Sequence, residues 1–461
     1  MKKSIIYSAL LIVFLATNLF SQEWNKIEGL SNYINTIYQI KSDPAKFYVA
    51  SNSIETDYSA LNITFPIVGN GMLISSDSGN TFSNLQLDEY AVYNIFEVEA
   101  TAGLILASAR KLNNGGIAYS LDSGGSWFGI PMMCPGSRQI MKIVQDKNNP
   151  SVFYAAALNT SNGVIKTENN FENCTELTNL KFQARDISVS SFNGYIYVAA
   201  DNGNISPFSS GVYRSTDGGA NWTKDSSGLI GKRINCILAS KEKENLIYCG
   251  ADSITGAGDV FGSGIYKSED FGKTWLLVTA NNQNVFSIVE HPSVPGYYAA
   301  ACGRAGVYIK GKNNLQWERH SSGLPTEFSV TTVTIPNWEI VDHSFVVFAG
   351  TQGDGLYKSN RIVTDVKSTN QVSNDLYVEK VYPQPFSKQI NVNWNNPVAQ
   401  NVTIEIRNQL GNIVFSNINV LTSEGQQQFN WAPNSISNGV YYLTIRTNSA
   451  SVSEKLIFVG E

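Results

Sequence analysis

Alternating apolar and polar residues recur along the first 360 residues in pairs of short segments. Each pair combines a run rich in Val, Ile and Tyr, a short polar turn, and a second apolar run that ends in small residues. Such period-2 alternation predicts antiparallel strands. Seven pairs occur, at 37–50, 92–107, 143–157, 187–200, 237–250, 285–301 and 333–350. The pattern therefore predicts an all-β protein with a sevenfold repeat.

A short phrase, S-x-D-x-G with an aromatic residue three positions later, lies between strands in four repeats. Its aspartates are Asp77, Asp122, Asp217 and Asp270, and its aromatic residues are Phe82, Trp127, Trp222 and Trp275. Glycine supplies a positive φ at a tight turn, and Asp accepts backbone N–H groups of its own turn. We expect these Asp side chains to satisfy buried N–H groups and the aromatic rings to fill slots between neighbouring sheets. A structural role is predicted, since neither task needs a substrate.

A looser signature extends the count to seven units. The glycine and apolar strand that precede each phrase recur, with a decayed phrase, at Gly163, Gly306 and Gly355. The last of these units lacks its Trp-led outer strand, whereas the segment 24–30 has that pattern and matches the segment that begins at Trp317. We predict that the N-terminal strand completes the last unit, because closing the ring removes an exposed sheet edge.

The phrase resembles the Asp-box, or BNR repeat, of sialidase-like and sortilin-like β-propellers. The resemblance covers residues 22–360 and implies a seven-bladed β-propeller whose N-terminal strand closes the last blade. About 48 residues for each unit suit four-stranded blades. In such propellers the boxes lie on the outer rim, away from the binding face.

Both ends of the chain carry features of export. Residues 1–21 hold Lys2 and Lys3 followed by an apolar run, which is typical of a signal peptide. No other apolar stretch is long enough for a membrane span after signal removal. Residues 361–376 are polar and predict a linker. Residues 377–461 alternate as six or seven short strands, which predicts a small C-terminal β-sandwich.

An ordered series of motifs runs through this C-terminal region. It includes Val381-Tyr-Pro-Gln-Pro-Phe386, Asn408-Gln-Leu-Gly411-Asn-Ile-Val and Ser437-Asn-Gly439-Val-Tyr-Tyr-Leu. The series resembles the type A C-terminal sorting domain of the type IX secretion system, with Gln384 in place of the usual Asn. The resemblance implies that the type IX machinery is a partner. It also implies a mature protein that passes through the periplasm and is then secreted or attached to the outer surface.

Composition narrows the classes of partner. The formal net charge of −5 becomes −7 once Lys2 and Lys3 leave with the signal peptide, and such a chain argues against nucleic-acid binding. Three scattered histidines and the lack of a calcium-loop pattern predict no metal and no cofactor. Five cysteines form no disulfide framework. Cys236 and Cys249 either pair across adjacent strands or serve as small buried apolar residues.

Four arginines are the candidate ligand-binding residues: Arg138, Arg185, Arg233 and Arg304. The first three precede the innermost strands of consecutive repeats at nearly one register, and the fourth lies on a loop of the same face. Their guanidinium groups could converge on the carboxylate or sulfate of an extracellular glycan or another anionic ligand. Alternatively, each pairs with an acid such as Asp186 or Asp252, or faces water. We interpret the chain as a non-catalytic binding or scaffold module.

An extracellular glycoside hydrolase, sialidase-like or glucan-cleaving, is the alternative interpretation. Such enzymes need two carboxyl groups at a defined separation. The acids expected at the axial face are Asp201, Asp252, Asp259 and Asp354, all in Gly/Ser-rich loops where Asp is a common turn residue. The Arg-Ile-Pro motif of sialidases is absent, and no catalytic residue is assigned. The insertion 51–70, with Glu55, Asp57, Tyr58 and Phe65, is a further candidate for ligand contact.

Overall fold

A computed structural model describes residues 23–460 of the chain with internal gaps. The gaps are 31–32, 53–68, 85–86, 112–113, 130–138, 159–161, 170–172, 178–181, 202–209, 226, 230–231, 254–262, 280–281, 313, 315, 365–375, 410, 435 and 448–449. The chain divides into two compact units, residues 1–365 and 366–461. Every regular element in the described ranges is a β-strand, and these ranges hold no helix that could cross a membrane.

The first unit consists of thirty short strands. They are β1 (Trp24–Lys26), β2 (Tyr33–Gln39), β3 (Phe47–Asn52), β4 (Gly69–Ser75), β5 (Ser83–Asn84), β6 (Ala91–Glu97), β7 (Ile105–Lys111), β8 (Asn114–Ser120), β9 (Phe128–Gly129), β10 (Gln139–Gln145), β11 (Phe153–Leu158), β12 (Val164–Thr167), β13 (Thr175–Glu176), β14 (Gln183–Val189), β15 (Ile196–Asp201), β16 (Gly211–Ser215), β17 (Thr223–Lys224), β18 (Lys232–Ala239), β19 (Ile247–Ser253), β20 (Gly264–Ser268), β21 (Leu276–Thr279), β22 (Ser287–Glu290), β23 (Tyr298–Ala301), β24 (Val307–Lys310), β25 (Glu318–His320), β26 (Val330–Thr334), β27 (Ser344–Phe345), β28 (Phe348–Thr351), β29 (Leu356–Ser359) and β30 (Ile362–Val363).

These strands form seven four-stranded antiparallel sheets, the number of units that the sequence predicts. We number them sheet 1 (β2–β5), sheet 2 (β6–β9), sheet 3 (β10–β13), sheet 4 (β14–β17), sheet 5 (β18–β21), sheet 6 (β22–β25) and sheet 7 (β26, β28, β29 and β1). The hydrophobic core lies mainly between neighbouring sheets. For example, Trp317 of sheet 6 packs edge-on against Tyr248 of sheet 5, with ring centroids 5.6 Å apart. The remaining two strands, β27 and β30, pair with each other, so regular structure continues to Val363, beyond the predicted start of the linker.

The first and last strands of the ring pair as predicted. Trp24 lies opposite Ser359 and Lys26 opposite Tyr357, so β1 is the outermost strand of sheet 7. The Trp24 side chain is fully buried, and its indole N–H donates to the carbonyl of His320 in sheet 6 at 3.0 Å. The N-terminal strand therefore joins two sheets whose other strands lie more than 260 residues further along the chain.

The repeated phrase forms a hydrogen-bonded turn in all four places. One oxygen of each Asp carboxylate accepts the N–H of the residue four positions later, at 2.8–2.9 Å, and the other oxygen accepts from that residue's side chain. In Asp77, Asp122 and Asp217, these hydrogen bonds lower the pKa of the carboxyl below its usual range. The aspartates are thus turn acceptors, as expected from the sequence.

The buried N–H group of each turn is satisfied by the serine rather than by the aspartate. In the second copy of the phrase, residues 120–127, the hydroxyl of Ser120 accepts the buried N–H of Gly124 at 2.7 Å and donates to Asp122. Each aspartate instead accepts a hydrogen bond from the N–H of the residue four positions later, and these N–H groups are exposed. The expectation that the aspartates satisfy buried N–H groups is therefore wrong. Serine takes this place because its short side chain reaches back into the turn.

The box glycine permits close packing between sheets. Gly124 has φ +85°, and a Cβ built there would lie 1.7 Å from the hydroxyl oxygen of Tyr48 in sheet 1. That hydroxyl donates to the carbonyl of Ser123 at 2.6 Å, and Trp127 packs edge-on against the Tyr48 ring. A side chain at position 124 would push the two sheets apart. The second box thus connects sheet 2 to sheet 1.

An ion pair holds the N-terminal strand against sheet 6. His320 Nδ1 lies 3.2 Å from Glu23 Oε1, and His320 Nε2 lies 3.8 Å from Glu318 Oε2. Burial acts to lower the pKa of His320, but its hydrogen bond to Glu23 and the negative charges of Glu23 and Glu318 outweigh burial and raise it to about 9. The histidine is therefore protonated at neutral pH and pairs with Glu23.

We expect the ion pair to make stability depend on pH in the alkaline range. The folded pKa of about 9 exceeds the ordinary value of 6.5, so the stabilisation is complete below pH 6.5 and is lost as the pH rises through 9. Urea unfolding at pH 6, 7.5 and 9.5 should show this decline. His320→Gln should be less stable than the natural protein at pH 6 and should flatten the decline. An unchanged slope in the variant would contradict this origin.

The second unit is a sandwich of two antiparallel sheets. Its strands are β31 (Tyr377–Tyr382), β32 (Ile390–Asn396), β33 (Gln400–Asn408), β34 (Ile413–Thr422), β35 (Gly425–Trp431), β36 (Gly439–Arg446) and β37 (Ser451–Phe458). One sheet has the order β31-β32-β35 and the other β34-β33-β36-β37. Trp394, Phe386 and Leu443 are among the buried residues of its core, which includes none from the first unit. The number of strands and their start at residue 377 agree with the sequence pattern.

Candidate functional site

The innermost strands of all seven sheets surround one cavity, which we call the axial cavity. Its volume is about 830 Å³, and residues of β2, β6, β10, β14, β18, β22 and β26 line it. Because the sheets are arranged around this cavity, any side chain on the inner face of a first strand reaches a shared space. The axial cavity is therefore the candidate functional site.

A β-bulge at the same position in six of the innermost strands lets two adjacent residues of each strand line the cavity. Six of the seven innermost strands contain one extra residue relative to the neighbouring strand, so two adjacent residues take the place of one in the pairing. The resulting pairs of lining residues are Asn35 and Thr36, Tyr93 and Asn94, Met141 and Lys142, Arg185 and Asp186, Asn235 and Cys236, and Thr331 and Thr332. The bulges are not evident from the alternation of apolar and polar residues, although the small residues that end each second strand lie opposite them. A Cβ on Gly250, for example, would lie 2.6 Å from Cys236 Sγ.

Side chains at the bulges also connect neighbouring sheets. The amide of Asn35 donates to the carbonyl of Val92 at 3.0 Å, and the amide of Asn235 donates to the carbonyl of Val285 at 3.1 Å. Asp186 accepts the N–H of Ile237 at 2.8 Å. The wall of the cavity is thus fixed by contacts between sheets, as a preorganised site requires.

The structure places the four candidate arginines differently. Arg185 and Arg233 line the axial cavity from neighbouring sheets 4 and 5. Arg304 is exposed and is not among the lining residues, and Arg138 lies outside the described part of the chain. Lys142 of sheet 3 lines the cavity as well and was not predicted. The basic residues of the described lining therefore come from three consecutive sheets.

Both carboxylates of the described lining are bound by basic groups. Arg233 donates to Asp252 through Nε at 3.0 and 3.1 Å and through Nη2 at 2.6 Å. Lys142 Nζ lies 2.7 Å from Asp186 Oδ1, while the other oxygen of Asp186 accepts from the backbone of sheet 5. Pairing of Arg233 with Asp252 was the alternative that the sequence left open, and it is present.

The other predicted acids do not join this site. Asp354 pairs with Lys26 and accepts from the hydroxyl of Tyr357, and it does not line the cavity. Asp259 and insertion residues 53–68, including Glu55, Asp57, Tyr58 and Phe65, lie outside what the structure describes, as does the side chain of Asp201. Across the described residues, no cluster of His, Cys, Asp and Glu could hold a metal ion.

The sequence matches a known family over its C-terminal region only. Residues 380–459 match the family described as "Secretion system C-terminal sorting domain". No curated protein matches the chain. Among solved structures, YCF48 from Cyanidioschyzon merolae has a TM-score of 0.51 and 13% identity, over 73% of this chain and 98% of that one.

Two further solved structures share the fold. YCF48 bound to a D1 peptide has a TM-score of 0.50 and 13% identity, over 75% of this chain and 97% of that one. The GH74 xyloglucanase from Xanthomonas campestris has a TM-score of 0.53 and 12% identity, over 81% of this chain and 59% of that one. At such low identities the likeness is evidence of the fold alone.

The chain is a β-propeller with a type IX secretion sorting domain. It is exported by the type IX system and is secreted or reaches the cell surface. The propeller is the part of the chain that this sorting domain exports.

The axial cavity of the propeller has two chemically different sides. Sheets 6, 1 and 2 contribute the five aromatic residues of the lining, whereas sheets 3, 4 and 5 contribute the three basic residues. The aromatic residues are Phe286, Tyr33, Tyr38, Tyr93 and Phe96. The amide oxygen of Asn284 is buried in this lining and accepts no hydrogen bond from the described residues. Such a site can take a polar, negatively charged ligand with an apolar face and a hydroxyl or N–H donor.

The cysteines contribute no reactive group here. Cys236, Cys249 and Cys302 are free and buried, so the alternative in which Cys236 pairs with Cys249 is wrong. Burial raises the pKa of all three thiols. Cys174 is disulfide-bonded, and Cys134 lies outside the described ranges. The free thiols act as small apolar packing groups between sheets.

Proposed function

We propose that the propeller is a non-catalytic module, exported by the type IX system, that binds an extracellular anionic glycan in its axial cavity. The observation that carries this proposal is the state of the two carboxylates in the described lining. Asp252 accepts two nitrogens of Arg233, and Asp186 is held between Lys142 and the backbone of sheet 5. Groups held in this way stabilise the wall of a binding site.

Hydrolysis of a glycosidic bond makes a different demand on the site. One carboxylic acid must give a proton to the leaving oxygen while the second attacks or activates water. A carboxylate that already accepts from a guanidinium or an ammonium group is poorly placed for either task. The described lining therefore supports binding better than hydrolysis, although the fold also occurs in a xyloglucanase.

The composition of the lining favours an acidic sugar polymer over a neutral one. Arg185 and Lys142 are suited to a carboxylate or sulfate group, and the asparagine and threonine side chains at the bulges are suited to sugar hydroxyls. Tyr33 and Phe286 offer aromatic surface to the apolar face of a pyranose ring. Export to the cell surface or medium would place this cavity where extracellular glycans occur.

A glycan array and a hydrolysis screen, run on the same purified protein, test the proposal. We expect retention of uronate-containing or sulfated glycans, no cleavage, and at least about tenfold weaker binding by Arg185→Ala. Arg304→Ala is the matched control, because Arg304 is exposed and does not line the cavity. This variant should bind the glycans as strongly as the natural protein does. Cleavage that Asp252→Asn or Asp186→Asn abolishes would overturn the proposal in favour of a hydrolase. Equal loss in both arginine variants would exclude the axial cavity.

A further inference from the structure

Large exposed apolar side chains concentrate at one edge of the sorting domain. β34 is the edge strand of its sheet, and near its end Ile418 is 64% exposed, Val420 38% and Leu421 77%. Val398, 52% exposed, lies two residues before β33, whose first residue pairs with the last residue of β34. We call these four residues the edge patch.

This edge lacks the charged and proline residues that commonly protect an exposed strand. Soluble proteins commonly place lysine or proline on edge strands to prevent association. The ten residues of β34, Ile-Val-Phe-Ser-Asn-Ile-Asn-Val-Leu-Thr, include no charged residue and no proline. Leu421 and Ile418 are the two most exposed large apolar side chains among the described residues, and several such side chains at one edge of a soluble domain are typical of a site of interaction. The edge patch is therefore expected to be covered by a partner.

The backbone of β34 disfavours a second copy of the chain as that partner. Val402 pairs with Val420, but Ile404 pairs with Asn417, so Ile418 and residue 419 lie together opposite Thr403. This bulge interrupts the straight row of backbone groups that a second β34 would need for a continuous ladder. It also turns Ile418 outward. The strand is thus arranged to present side chains rather than to accept another strand.

We propose that the edge patch is the surface through which the type IX machinery recognises the sorting domain. A sorting domain must be recognised by a protein of the export system, and this patch holds the two most exposed large apolar side chains of the described part of the domain. Because β34 is uncharged, the protein that binds it presents an uncharged apolar surface. Recognition rests on the burial of these two apolar surfaces rather than on ion pairs. This recognition is independent of what the axial cavity binds.

The test compares two full-length variants with the natural protein in a bacterium that has the type IX system. Ile418→Asn combined with Leu421→Asn replaces the two most exposed of the four apolar side chains in the patch. Ile413→Asn is the matched control, because Ile413 is 50% exposed on the same strand but at its other end. The measurement is the amount of protein at the surface and in the medium relative to the periplasm. Melting temperature and light scattering of each purified protein report folding and self-association.

We expect the double variant to be folded and monomeric and to reach the surface or medium at least about tenfold less than the natural protein. The control should be exported normally. Normal export of the folded double variant would overturn the proposal, as would an equal loss of export in the control. If the natural protein is a dimer and the double variant is an exported monomer, the patch instead binds a second copy of the chain. Should the double variant not fold, Leu421→Lys alone decides by the same measurements.

Discussion

Replacing Trp24 with alanine is expected to lower the free energy of unfolding of the propeller by about 3–5 kcal/mol, the range for a buried aromatic side chain. Trp24 is fully buried in a cluster that includes residues of sheets 6 and 7, such as Tyr297 and Tyr357. Its loss removes this packing and leaves the carbonyl of His320 without the indole donor. Denaturant unfolding followed by tryptophan fluorescence or circular dichroism gives the measurement.

Asn25→Ala is the control for this experiment, since Asn25 belongs to the same strand but is exposed. We expect a change well below that of Trp24→Ala. Native-state hydrogen exchange should show that Trp24→Ala loosens β29 and β25 together, because β1 pairs with β29 and Glu23 and Trp24 donate to Ser322. Equal stability of the two variants would mean that ring closure contributes little.

Removal of residues 376–461 is expected to leave a folded propeller that stays in the periplasm. The first unit contains both strands of the ring closure, and its cores contain no residue of the sorting domain. The family match places the export signal in the removed part. Cell fractionation should show at least about tenfold less protein at the surface and in the medium, and limited proteolysis should show a resistant fragment.

A deletion of residues 368–373 serves as the comparison, because it shortens only the polar segment between the two units. That variant should be exported like the natural protein. Export of the long truncation at normal levels would contradict the assignment of the signal to the sorting domain. A truncated protein that aggregates would contradict the independence of the propeller.

The repeat made most of the fold predictable from sequence. The likeness between segments 24–30 and 317–324 predicted the pairing of β1 with β29, because chain segments that fill equivalent slots need equivalent side chains. The β-bulges were not predictable from alternation, since one extra residue shifts the period by one and resembles an imperfect strand. For this reason Lys142 was not recognised as a lining residue.

The arginines illustrate a second limit. Arg185 and Arg233 both line the cavity, but they do not share a register, because Arg185 is the extra residue of its bulge whereas Arg233 lies two residues before the extra residue Asn235. Asp252, the partner of Arg233, lies 19 residues further along the chain. Only the register between β18 and β19, in which Arg233 lies opposite Asp252, brings the two charges together. Sequence proximity to a strand end could not distinguish Arg304, which is exposed on a loop. Whether a basic residue is paired depends on neighbours that the fold supplies.

The position of the sorting domain after β29 has a consequence for quality control of export. The first strand of the ring pairs with a segment more than 330 residues away, so the ring closes only when all seven sheets have been synthesised. The sorting domain, which directs secretion, follows β29 in the chain. A polypeptide that ends early, and therefore has an open ring with unpaired strand edges, also lacks the sorting domain. Possession of the tail thus reports that every strand needed for closure is present, and incomplete propellers are kept away from the cell surface.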